Sequence, residues 1–190
     1  RGCVVREGGL GGGEEVAARA AIPLPWRRRR VAPRMHGAAR WSAWSALVNG
    51  LTIVIDEVRV FDPERLWDTI ARERVSMITI VGDAMAIPLR DALRAQPGRW
   101  DLAALVNLGS GGAVFSGHVK ADLAALLPAS VAITDGMGSS ETGISGLAEP
   151  STEGLMRLTA SATQAVVVGD RMAGAGEIGR VAGSGHIPGG

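Results

Sequence analysis

Lysine is nearly absent: Lys120 is the single one, and the rest of the 20 Lys and Arg residues are arginine. Any chemistry that needs a lysine amine must use Lys120 or do without. Cysteine is equally scarce. Cys3 alone excludes an internal disulfide and favours a reducing compartment, so a cytoplasmic protein is expected. Charge of either sign is not in excess, since 20 basic and 19 acidic side chains leave a net +1. That balance gives no electrostatic footprint for a nucleic-acid or membrane-surface partner. No apolar run approaches the about 20 residues of a membrane span, and no charged-then-apolar signal pattern is present. G-x-S-x-G and H-E-x-x-H do not occur, and His36, His118 and His186 are scattered, which argues against hydrolase and zinc chemistry.

What remains is a chain of 190 residues, 46% hydrophobic, able to bury a full core as one domain or as part of a larger one. It starts on Arg1 and ends in Pro188-Gly189-Gly190, and a piece of a longer protein is expected. Residues 1–30 combine G-G-L-G-G-G, an acidic pair and P-L-P-W-R-R-R-R, and read as a poorly structured arm in which Arg27–Arg30 is a solvated turn. From residue 38, Ala38, Trp41, Trp44 and Val48 recur at helical spacing and predict a buried helix face ended by Gly50. L-T-I-V-I follows as a strand. Asp62 and Pro63 then open a helix that buries Leu66, Trp67 and Ile70. A strand at residues 76–81, a helix over 83–96 bent or interrupted at Pro88, a strand at 104–108, a helix over 116–127 and the strand V-A-I-T complete the alternation.

This order predicts an α/β fold over residues 31–150, a mainly parallel sheet flanked by helices. Beyond Pro150, A-V-V-V and E-I-G-R-V-A between glycines predict a small β region over 151–190.

Ligands of open α/β sheets bind beyond the carboxyl ends of the strands. Two glycine-rich loops are predicted there, Gly109 to Ala113 and Asp135 to Gly143. Glycine lets backbone approach a flat ring or a phosphate closely and leaves N–H groups free to donate. The lone carboxylate Glu141 would repel a polyphosphate unless a divalent cation lay between them. Equally, Glu141 caps a helix or makes an exposed ion pair, and the glycines only shape turns. The residues themselves leave both readings open.

The order of the motifs adds a resemblance. P-R-M-H-G at Pro33–Gly37, S-G-G-A-V-F-S from Ser110, D-G-M-G-S-S-E-T-G from Asp135 and G-E-I-G from Gly176 together resemble the adenylate-forming superfamily, in its acyl-CoA synthetase branch. The resemblance implies part of the large domain of such an enzyme. It also implies ATP- and magnesium-dependent activation of a carboxylic acid, commonly a fatty acid, to an acyl-adenylate that passes to coenzyme A. Carried over, Gly111, Gly112 and Ala113 line adenine, as do Gly136, Met137 and Gly138. Ser140 falls on the α-phosphate, Glu141 on magnesium, and His36 faces the acyl pocket. Ser140, Glu141 and His36 would be the catalytic groups.

Some family features are missing. Met137 replaces a common aromatic ring, Arg34 a common apolar residue and Val114 a common proline. No phosphate loop ending in Pro-Lys-Gly precedes His36, and no T-G-D element follows Gly176-Glu177; Val168-Gly169-Asp170-Arg171 comes too early and reads as a turn. Lys120, in a predicted helix, reads as a solvated charge. Residues 1–190 by themselves are therefore expected to lack a full catalytic cycle. Two other readings compete. In the first, G-M-G-S-S-E after a strand is a near-match to a dinucleotide-binding fingerprint, flawed at Glu141. In the second, the chain is a non-catalytic interaction fragment. The particular acid and the oligomeric state are not written in the sequence.

Overall fold

The computed structural model describes residues 27–30, 43–44, 46–55, 60–139, 143–149, 157–158 and 164–183. It divides into two compact units, Arg1–Thr134 and Asp135–Gly190.

In the first unit, strand β1 is Arg27–Arg30, and it pairs in parallel with both β2, Thr52–Val54, and β3, Met77–Ile80. The expected solvated turn at the four arginines is thus corrected to an interior strand. A strand's N–H and C=O groups are satisfied by neighbours on both sides, so position in the sheet outweighs the weak strand preference of the side chains. β3 in turn pairs in parallel with β4, Asn107–Gly111.

Helix α1, Pro63–Arg72, begins as its sequence predicts. Asp62 Oδ1 accepts from the Arg65 N–H at 3.1 Å, and Pro63 sits where no N–H is needed. Its inner face buries Leu66, Trp67 and Ile70. Trp67 is fully buried with its polar atom satisfied, the indole Nε1–H donating to the Leu89 carbonyl at 3.0 Å. Leu89 lies on helix α2, Gly82–Ala95, which runs on through Pro88 without interruption. Helix α3 is Gly117–Leu126. Arg90 and Arg94 of α2 both pair with Asp122 of α3, at 3.2 and 2.8 Å.

The three helices and the strands close one apolar core that includes Ile78, Ile80, Leu108, Val119 and Leu123. Each such side chain contributes roughly 1.5–3 kcal/mol when fully buried.

The helix face expected around Trp44 is corrected. Residues 43–44 and 46–48 are helical, but Ala43 and Ala46 are the buried ones, packed with Ile53, while Trp44 is 64% and Val48 54% exposed. With Trp, Ala, Leu and Val all round this helix, spacing alone does not choose a face. Ala38 and Trp41 lie outside the described residues.

Strand β5, Ala132–Ser139, crosses from the first unit into the second. In the second unit its residues Gly136–Ser139 pair antiparallel with β6, Gly143–Glu149, which pairs antiparallel with β7, Arg157–Leu158. Antiparallel pairing therefore starts well before Pro150. A separate three-stranded sheet places β8, Gln164–Val168, between β9, Arg171–Met172, and β10, Arg180–Gly183. The turn expected at Gly169-Asp170 is there, joining β8 to β9 with Gly169 at φ 59°.

The G-E-I-G segment has a structural task in this small sheet. Glu177 takes both guanidinium donors of Arg171, at 2.7 and 2.8 Å, and the Gly174 N–H at 2.8 Å. Gly179 lies against β8, where an added Cβ would come 2.5 Å from the Val167 carbonyl oxygen. The Arg171 guanidinium, with the Gly174 N–H, pulls the Glu177 carboxyl down from 4.5 to about 2. A folded value below the unfolded one adds stability that is fully present above about pH 4.5 and is lost as pH falls toward 2. Hydrogen-exchange protection factors over 164–183, taken against the intrinsic rate at each pH, should accordingly fall across that interval, and Glu177→Gln should flatten the dependence. An unchanged acid limb in the variant would assign the pH sensitivity elsewhere.

Candidate nucleotide site

The S-G-G-A-V-F-S segment is part strand and part loop. Gly109, Ser110 and Gly111 belong to β4, and only from Gly112 does the chain leave the sheet, later than the predicted strand at 104–108. Gly112 has φ 83°, a left-handed turn that glycine accepts without strain. Gly112, Ala113 and Val114 are exposed, Val114 by 74%, whereas Phe115 is buried. The result is a short exposed ledge beyond the carboxyl end of a parallel strand.

The ledge is held from its inner side by residues that sequence reasoning missed. At the β3–α2 junction, the Gly82 N–H donates to Ser110 Oγ at 3.1 Å, and the Asp83 N–H donates to the Val114 carbonyl at 2.8 Å. Asp83 Oδ1 accepts from the Ser116 N–H at 2.9 Å, and Asp83 Oδ2 accepts a short hydrogen bond from the Ser116 hydroxyl. Gly82 itself is at φ 52°, and an added Cβ would lie 2.3 Å from the Val114 carbonyl oxygen and 2.9 Å from the Ala113 Cβ.

Burial alone would raise the Asp83 carboxyl. The Ser116 hydroxyl and N–H, with the charges of His118 and Lys120 nearby, outweigh it, and the group stays below its ordinary value, ionised at neutral pH. Lys120 is more than a solvated charge, because its Nζ lies over the Phe115 ring, 5.1 Å from the centroid. The one advance signal for this cluster was a Gly-Asp pair directly after a strand.

Gly136, Met137 and Gly138 belong to the second unit, and they lie in strand β5 rather than in the predicted loop. Gly136 and Met137 are half-buried and Gly138 is exposed. The register slips between Met137 and Gly138, where β6 carries an extra residue. Such bulges bend a strand and re-aim the side chains around them. This stretch leads into another strand, so the strand-turn-helix context of a dinucleotide fingerprint is absent and that reading is overturned. His36, Ser140, Glu141 and Thr142 lie outside the described residues. Among the described residues, no group of three or more His, Cys, Asp or Glu side chains is placed to hold a metal ion. No described helix is long and apolar enough to cross a membrane.

Helix-flanked parallel sheets take their ligands beyond the carboxyl ends of the strands, where this glycine ledge lies. The sequence profile of the AMP-binding enzyme family matches residues 27–185, and the chain belongs to that family. It is 41% identical over 132 residues to a medium/long-chain-fatty-acid and 3-oxocholest-4-en-26-oate CoA ligase of Mycobacterium tuberculosis, covering 70% of this chain and 23% of the relative. A ligase of the same description from Mycolicibacterium smegmatis is 36% identical over 183 residues, covering 91% of this chain and 33% of the relative. The fold is shared with the luciferase-like enzyme of the nonluminescent mealworm Zophobas morio, at a TM-score of 0.70 and 17% identity over 88% of this chain and 41% of that one. The chain thus spans between 23% and 33% of the length of these curated relatives.

Proposed function

We propose that the chain supplies the adenine-facing part of an enzyme that uses ATP to activate a carboxylic acid, a fatty acid by its relatives, to an acyl-adenylate and then to acyl-CoA. The observation that carries this reading is the exposed turn at Gly112–Val114, fixed by the Asp83 and Ser116 hydrogen bonds. A flat purine needs a close backbone approach such as Gly112 allows, with little loop order still to be gained on binding.

In the first unit the adenine contacts are Gly111, Gly112 and Ala113; in the second, the motif order assigns that role to Gly136, Met137 and Gly138, with the Met137 thioether a soft substitute for an aromatic ring. Ser140 donates to the α-phosphate. His36 donates to the substrate carboxylate. Glu141 would hold magnesium, which when bound offsets the repulsion between carboxylate and phosphate. Ring-bearing acids are a second substrate class, in keeping with the relatives' sterol acid.

Full-length protein given ATP, magnesium and a long-chain fatty acid is expected to exchange pyrophosphate into ATP only when the acid is present. Exchange independent of acid, or none with any acid, would overturn the proposal.

A further inference from the structure

We infer that Asp83 is a positioning residue for the nucleotide loop: its carboxylate, by taking both donors of Ser116, fixes the Gly112–Val114 ledge in the shape that receives adenine. The inference rests on the nucleotide reading of that ledge and assigns the residue that sets its geometry.

Ser116 provides the main evidence. It stands at the N-cap of α3, where a serine normally accepts from its own helix, yet its side chain makes no capping bond there. The hydroxyl is turned instead onto Asp83, 33 residues away in sequence, and the backbone N–H of the same residue follows it. Asp83 meanwhile gives its own backbone N–H, one of the donors a helix leaves open in its first turn, to the Val114 carbonyl. The loop is therefore gripped at Val114 and at Ser116 by one residue. Gly82, beside it, grips the loop's origin through Ser110.

Of residues 112–114, these bonds use only the Val114 carbonyl, and Gly112, Ala113 and Val114 remain exposed. A charge-accepting pair is stronger than neutral hydrogen bonds and holds its direction. The charge of Lys120, at the start of α3, compensates the carboxylate electrostatically. Asp83 need not touch nucleotide to control it.

Steady-state kinetics on the full-length protein separate this role from simple structural support. Asp83→Ala is expected to raise the KM for ATP about tenfold, the scale of one charge-assisted hydrogen bond, while the KM for the acid stays near parental. Asp83→Asn can still accept from the Ser116 N–H and meet its hydroxyl, and should return the ATP KM to within about twofold of the parent, a few tenths of a hydrogen bond. Ser116→Ala, which keeps the backbone bond, should fall between them.

An unchanged ATP KM in a folded Asp83→Ala would overturn the inference while leaving the proposed function standing. So would a parallel rise in both KM values with a fall in thermal midpoint, or an asparagine variant as impaired as the alanine one. If the parent itself showed no acid-dependent exchange, the proposed function would fall, and this inference with it.

Discussion

Gly82→Ala is expected to destabilise the first unit by about 2–5 kcal/mol, because a left-handed backbone and a steric overlap act on the same atom. At φ 52° any L side chain is strained, and for alanine that alone costs about 1–2 kcal/mol. The new Cβ would also stand 2.3 Å from the Val114 carbonyl oxygen, well inside contact distance. Val114 must retreat, and the Asp83 N–H bond to that carbonyl goes with it.

Gly98 isolates the second effect. It is equally left-handed, at φ 75°, but an added Cβ there meets nothing within 4 Å. Gly98→Ala should show the backbone cost only. In urea unfolding of the two variants beside the parent, Gly82→Ala should lose about 1–3 kcal/mol more stability than Gly98→Ala, the cost of overpacking. Equal losses would mean that the loop yields freely and that the junction is no clasp.

That junction was hardly legible in the sequence. The start of α1 was, since Asp62 and Pro63 carry their own instructions in adjacent residues. The α/β alternation was legible too, because apolar strands and helix faces repeat over short windows. Asp83 was not, because its partners Val114 and Ser116 are 31 and 33 residues on, and the preceding glycine is the one local feature that sets it apart from an ordinary first-turn acid.

The same limit explains the other differences. Arg27–Arg30 reads as solvated because its composition is charged, yet pairing with β2 and β3 decides its state. The glycines of β5 read as loop because they pack no side chain, yet an antiparallel partner, β6, is enough to extend them. Long-range pairing is the information a single sequence carries least openly. The motif order, by contrast, singled out the turn at Gly111–Ala113 without any knowledge of what holds it.

Glu141 bears the heaviest functional load in the account. A carboxylate set among the hydroxyls of Ser140 and Thr142 has one productive relation to a triphosphate, through a divalent cation, since direct contact is repulsive. Glu141→Gln keeps the shape of the side chain and removes its charge. The variant is expected to lose about a hundredfold in acid-dependent pyrophosphate exchange, the scale of one preorganised electrostatic group at a reacting centre. The substitution is isosteric, so the variant should keep the parent's thermal midpoint, and the loss then reads on chemistry.

Calorimetric titration of ATP into parent and Glu141→Gln, each with magnesium and with chelator, is the most direct measurement. The parent should bind ATP much more tightly with magnesium, and the variant should bind it with nearly the chelator affinity in both conditions. If magnesium strengthened ATP binding equally in the two proteins, Glu141 would hold no cation and the account would be contradicted.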